Sequence, residues 1–294
     1  MRTSVNLLFL FTFVFVFATQ AQKQSDSLRL LYKNADSDSV RVHLLHKLYQ
    51  QEDSVEHASK ALELSKEINY KPGVALSLLD LGRWYYFAGR EDVSLNYLIQ
   101  SVKIAEQIGD KEVLKGAYRY IGFIYRPHEP YKAKEYYEKS LKLCQETEDE
   151  LAASYIYSAL GNIYEGINEG TSYTADASHK MALDYYLKSL KIREKKGSPS
   201  EIASSLNETA RMYDQLGRYD KGMQLKLRGL QVAERIGDKN NIVFISNLLG
   251  NDFANRFQEY DKAIKYQMKA YELGRSVSNN YELLFDICKS VGTC

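Results

Sequence analysis

Residues 75–110 read ALSLLDLGRWYYFAGREDVSLNYLIQSVKIAEQIGD. Apolar residues recur at three- and four-residue steps on both sides of Gly89, the pattern of two amphipathic helices joined by a tight turn. Small residues fall at Gly82 in the first run and at Ser94 and Ser101 in the second. Only a small side chain lets two helix backbones approach closely at a crossing, so these positions predict where the helices touch. Tyr85, one turn beyond Gly82, fills space along the same face.

The unit recurs along the chain. Ile121-Gly122 with Tyr125 and Leu160-Gly161 with Tyr164 repeat the first-helix signature, as do Ala210 with Tyr213 and Leu249-Gly250 with Phe253. The second helices repeat as Ala133, Tyr136-Tyr137 and Ser140, then Ala182, Tyr185-Tyr186 and Ser189. They continue as Gly222, Leu225 and Gly229, and as Ala263, Tyr266 and Ala270. The small first-helix residue advances by 40, 39, 49 and 40 positions, and the long step contains a Gly/Asn/Ser/Thr-rich insertion near 167–178. A shorter version precedes these copies, with Leu45, Tyr49, Ser54, Ala58 and Ala61. Ser39 is the expected N-cap of its first helix, Val40 to Gln51. Pro127 and Pro130 mark a turn, because neither can continue a helix interior. No single helix pair can bury both of its faces, so neighbouring pairs must stack. The expected fold is all-α.

These units resemble the tetratricopeptide repeat, with a spacing near 40 residues, over about residues 40 to 294. The resemblance implies a right-handed superhelix of antiparallel helix pairs whose first helices line a concave groove. It further implies that positions three before and one after the small residue point into that groove. Those are Leu79 and Arg83, Arg119 and Phe123, Ser158 and Asn162, Asn207 and Arg211, then Asn247 and Asn251. Three Arg and four Asn among ten positions is a biased lining. Asn holds a peptide backbone with a donor and an acceptor, and Arg forks onto a carboxylate. Peptide-binding repeats of this type often use such residues, so Arg83, Arg119, Phe123, Asn162, Asn207, Arg211, Asn247 and Asn251 are the candidate binding residues.

The ends of the chain carry different signals. Arg2 precedes an apolar run from Val5 to Ala18, and Thr19-Gln20-Ala21 offers small residues before Gln22. That is the form of a secretory signal peptide, shorter than the roughly 20 residues of a membrane span. It predicts an exported protein, periplasmic or extracellular, with an uncleaved anchor as the alternative. At the other end, Leu284, Phe285, Cys288 and Gly292 align with Leu81, Gly82, Tyr85 and Gly89. The expected organisation is thus a signal peptide at 1–21 and a short helix with polar linker at 22–39. Six helix pairs follow over 40–279, then the first helix of an incomplete seventh unit, or a cap, at 280–294. A signal peptide followed by such repeats is also similar to the extracytoplasmic sensor region of Bacteroidetes-type histidine kinases and helix-turn-helix regulators.

Composition narrows the function. The net charge of +1 gives no bulk attraction to nucleic acid or anionic membrane. Three cysteines, Cys144, Cys288 and Cys294, imply no disulfide framework, and Cys144 and Cys288 read as small packing residues. His43 and His46 are three apart on one helix, but no third ligand stands near them, so packing or surface roles are expected. No phosphate loop, nucleophile elbow or HExxH pattern occurs. The expectation is a non-enzymatic scaffold that binds a protein or peptide in its groove. No cofactor, metal, nucleic acid or lasting membrane span is expected. The alternative is a sensory fragment of a histidine kinase or transcription regulator, which would make a membrane sensor kinase a further partner.

Overall fold

A computed structural model describes residues 22–166 and 174–277. Helix α1 covers 22–33. It is followed by α2 (Asp38–Glu52), α3 (Val55–Glu67), α4 (Lys71–Phe87), α5 (Glu91–Ile108), α6 (Lys111–Tyr125) and α7 (Pro130–Glu146). The chain continues through α8 (Glu150–Gly166), α9 (Ala175–Lys196), α10 (Pro199–Gln215), α11 (Tyr219–Ile236), α12 (Lys239–Asn255) and α13 (Tyr260–Val277). No strand occurs among the described residues. The helices fall into two compact units, one ending at Leu143 and the other beginning at Cys144. The expected signal peptide, the expected seventh unit with Cys288 and Cys294, and most of the 167–178 insertion lie outside the described residues. The end of that insertion is seen: Thr174 caps α9, accepting from the Ala177 amide. Among the described residues no helix is long and apolar enough to cross a membrane.

Local chemistry sets the helix boundaries. In the tripeptide Ile108-Gly109-Asp110, Gly109 adopts φ +71° and closes α5, and Asp110 caps α6 by accepting from the Val113 amide. Ile236-Gly237-Asp238 repeats the device between α11 and α12. One dipeptide thus ends one helix and starts the next. Ser37, rather than the expected Ser39, caps α2, because its side chain reaches the Val40 amide while its backbone stays extended. Gly89 sits in the turn between α4 and α5: nothing lies within 4 Å of where its Cβ would be, and its φ of +71° serves that turn.

The paired helices close on one another at the small residues. A Cβ on Gly122 would stand 2.3–2.9 Å from the Tyr137 ring, and one on Gly161 would stand 2.7–2.9 Å from the Tyr186 ring. One turn later the aromatic pairs stack: Tyr85 on Tyr97, Tyr125 on Tyr136, Tyr164 on Tyr185 and Phe253 on Tyr266, with centroids 5.5, 5.7, 5.5 and 5.5 Å apart. In the fifth unit Leu225 replaces the second ring, and Lys221 covers Tyr213 instead. Serines on the second helices bond to carbonyls of the first. Ser101 donates to Ala75 O, Ser140 to Lys115 O and Ser189 to Ser154 O, at 2.7, 2.9 and 2.8 Å. Cys144 is buried, in keeping with its expected packing role.

The Gly122→Ala variant tests this close approach. Tyr137 is fully buried and cannot swing clear, so urea unfolding should show a loss of about 1–3 kcal/mol. An unchanged midpoint would mean that the helices do not touch there.

Candidate functional site

In the first unit, the face of α4 and α6 is a cluster of aromatic rings edged by arginines. Phe123 contacts Tyr86, Tyr120 and Tyr137 with centroids 5.9, 5.6 and 5.8 Å away. Tyr86 also meets Tyr120 and Phe87, and Phe87 remains 70% exposed. Arg119 lies over the Tyr120 ring at 5.1 Å. Arg83 lies over Tyr49 at 4.9 Å and donates from Nε to the Tyr49 hydroxyl. Arg126 acts electrostatically on both Tyr86 and Tyr137. Burial pushes the Tyr49 phenol up to about 12 and raises Tyr86 and Tyr137 as well, so all three remain neutral donors near neutral pH. Arg83, Arg119 and Phe123 are therefore brought together. Leu79 packs instead against Gly116 on α6.

The second unit presents a hydrogen-bonding surface from α8, α9 and α10. The Tyr186 hydroxyl shares its proton between Asn162 Oδ1 and Glu165 Oε2, at 2.8 and 2.9 Å. Arg211 pairs with the other oxygen of Glu165. Ser158 donates to Glu208 Oε2 at 3.0 Å, and Arg193 lies 3.8 Å from the same oxygen. Asn207 is 7% exposed, and its Oδ1 has no hydrogen-bond partner. The same holds for Oδ1 of Asn247, whereas Asn251 Oδ1 accepts from Gln267 at 3.3 Å. Asn162 and Arg211 thus share one network, and Asn207 and Asn247 each hold an amide oxygen in reserve.

Comparison of the two units shows how one residue resets the surface. Phe123 and Asn162 each follow the small glycine of their helix, and Tyr137 and Tyr186 are the rings packed on those glycines. Where Asn162 accepts from Tyr186, Phe123 cannot, and the Tyr137 hydroxyl is left buried without a partner.

Glu165, Glu208, Arg126 and the exposed Phe87 belong to these surfaces although the repeat positions did not single them out. Glu208 neighbours Asn207 in sequence, and Glu165 lies four residues beyond Gly161, so helical spacing could have placed both. His46 is another contact hidden from the sequence. Its Nδ1 lies 2.7 Å from Asp80 Oδ2, and its Nε2 lies 3.4 Å from Ser77 Oγ. This resembles a nucleophile–base–acid line, but the Ser77 proton goes to Gly73 O at 2.7 Å, and Ser77 is fully buried. The trio ties α2 to α4.

Burial raises the Glu208 carboxyl above its ordinary value of 4.5, against the opposing pull of Arg193, the Ser158 hydroxyl and Arg211; Glu165 adds to the rise. A raised native pKa makes this group's contribution greatest below its unfolded value, and that contribution is lost as pH rises through the folded one. Glu208→Gln should therefore gain stability relative to the native chain at about pH 7 and lose that advantage by about pH 4.5. Paired urea unfolding curves at the two pH values check this. A difference independent of pH would refute the assignment.

The tetratricopeptide repeat family matches residues 43–107. No curated protein sequence matches the chain. Among solved structures, the fold is similar to that of BtubC (BKLC) from P. vanneervenii, with TM-score 0.59 and 17% identity over 74% of this chain and 90% of that one. It is similar to the apo form of RapI, with TM-score 0.57 and 17% identity over 94% of this chain and all of that one. It is also similar to a chain of the APC/C hetero-tetramer Cut9–Hcn1, with TM-score 0.63 and 13% identity over 90% of this chain but 46% of that one. At these identities the likeness establishes the fold, an all-α stack of helix pairs. The family match itself lies within α2 to α5.

Proposed function

We propose that this chain is a non-enzymatic scaffold that binds a peptide or protein segment on the faces of its first helices after export. The observation that carries the reading is the α4–α6 face. There the exposed Phe87 and the half-buried Tyr86 and Phe123 lie among Arg83, Arg119 and Arg126. Tyrosine and arginine dominate the binding energy of protein interfaces, because one side chain offers apolar area together with directional donors. The unpaired oxygens of Asn207 and Asn247 support the same reading for the second unit. Export is supported by the leader-like sequence ending at Ala21. A second reading, in which the same faces report occupancy to a kinase or regulator, is supported by the order of leader and repeats.

Two measurements test the proposal. Screening the full chain against a bead-displayed peptide library should yield binders, and the triple variant Arg83→Ala, Arg119→Ala, Phe123→Ala should weaken them at least about tenfold with helical content unchanged. Equal capture by the variant would move binding off this face. For export, the full gene expressed in a secreting bacterial host should give a protein whose intact mass starts at Gln22. Retention of Met1 in the cytoplasmic fraction would overturn that part.

A further inference from the structure

The Tyr137 hydroxyl is a buried donor that the fold does not use. Its ring is fully buried against Gly122, and Tyr186 packs on Gly161 in the same way. In both pairs Cε1, Cδ1 and Cζ are the ring atoms nearest a Cβ built on the glycine. The two hydroxyls therefore leave the glycine in the same direction, toward the residues one and four positions beyond it. In the second unit these residues are Asn162 and Glu165, and Tyr186 bonds to them at 2.8 and 2.9 Å. In the first unit they are Phe123 and Arg126, and neither side chain can accept a hydrogen bond. The Phe123 ring stands 5.8 Å from the Tyr137 ring, in the place that Asn162 takes beside Tyr186.

The second unit shows what satisfies such a donor. Glu165 accepts from the Tyr186 hydroxyl on one oxygen and pairs with Arg211 through the other. A carboxylate thus bridges a tyrosine and an arginine. The first unit keeps the tyrosine and has an arginine at the position of that carboxylate. The charged groups acting on Tyr137 are Arg126 and Arg119, both positive, and Glu91 acts on the neighbouring Tyr86 instead. Arg126 is half-buried and joins no ion pair among the described residues. A buried hydroxyl beside unmatched positive charge lacks one group only, an anionic acceptor.

We propose, resting on the peptide-binding reading of the α4–α6 face, that the bound segment supplies this acceptor as an aspartate or glutamate side chain. Its carboxylate accepts from the Tyr137 hydroxyl and pairs with Arg126, as Glu165 does with Tyr186 and Arg211. Entry displaces Arg126, whose side chain is held by no ion pair, rather than a packed ring. Phe87, 70% exposed and in contact with Tyr86 and Tyr120, seats an apolar residue beside the acidic one. A side chain is favoured over a chain terminus because the internal counterpart, Glu165, is itself a side chain within a helix.

The test screens the full chain against two bead-displayed peptide libraries, one with amidated and one with free C-termini. Binders from the amidated library should be enriched in Asp or Glu next to a bulky apolar residue. Replacing that acid by its amide in the strongest binder should weaken it about tenfold or more, read by fluorescence anisotropy. Tyr137→Phe should cost the acidic peptide about tenfold and its amide counterpart much less, so that the two losses do not add. Because the hydroxyl bonds to nothing in the free chain, Tyr137→Phe should not lower the urea midpoint, which separates recognition from folding. Arg126→Glu places a carboxylate where Glu165 stands in the second unit, and it should abolish capture of the acidic peptide with helical content unchanged. Binders without acidic preference, or acidic binders indifferent to both variants, overturn the carboxylate site and leave the peptide-binding face standing. Binding confined to free C-termini overturns the side-chain occupant. No binders from either library would remove the peptide-binding reading and this site with it.

Discussion

The contact on which the middle helix pairs depend is a small residue under a large ring, and in other pairs the small residue lies under Leu98 or Gln267. Gly122 beneath Tyr137 and Gly161 beneath Tyr186 set the distance between paired helices. The stacked rings one turn later then set the angle at which each pair continues. The helices cannot separate without exposing a fully buried tyrosine, nor approach further without colliding with it. Because the small residue recurs while its partner changes from Tyr to Leu98 or Gln267, the close approach is reproduced from pair to pair, and stacking follows as the way to cover the faces left over.

Inside that frame the interior is polar in an ordered way. Serines use their hydroxyls on helix carbonyls, bonding across the crossing where a methyl group would only fill space. Charges are also buried. Lys226, 2% exposed, lies between Asp214 on α10 and Asp252 on α12, and Arg256 reaches both carboxylates. Two negative charges face two positive ones, so the group is balanced, and it joins three helices at a single point. Buried pairs contribute little net stability against an apolar replacement. Their effect is to penalise any register in which one partner moves away from the others. His46 with Asp80 does the same for α2 and α4.

The backbone was more legible in the sequence than the surface. Gly82, Gly122, Gly161 and Gly250 announced the crossings because sterics permit few alternatives there. The Ile-Gly-Asp tripeptides announced their boundaries because a left-handed residue followed by an acceptor has a narrow set of uses. Ser37 rather than Ser39 at the start of α2 shows the limit: two serines two residues apart compete for one cap, and geometry decides. The networks were illegible for a different reason. Glu165 with Arg211, and Ser158 with Glu208, join residues 46 and 50 positions apart, which no local spacing reveals. The orphaned Ser65 was hidden because its sequence matches its bonded counterparts, and only its surroundings differ.

That last contrast bears on where recognition arises in a repeat protein. A repeated residue normally has a repeated partner, so its polar groups are consumed by the fold. Where one copy changes a neighbour, the fold leaves a group over. Phe123 in place of an asparagine strands the Tyr137 hydroxyl, and Tyr70 in place of an aspartate leaves the first turn of α4 without a side-chain cap. These departures cost stability, since unpaired buried donors are unfavourable. In a scaffold of packed helices, an incoming ligand is one way such a cost is offset. The residues that break the pattern therefore carry more information about binding than the residues that keep it.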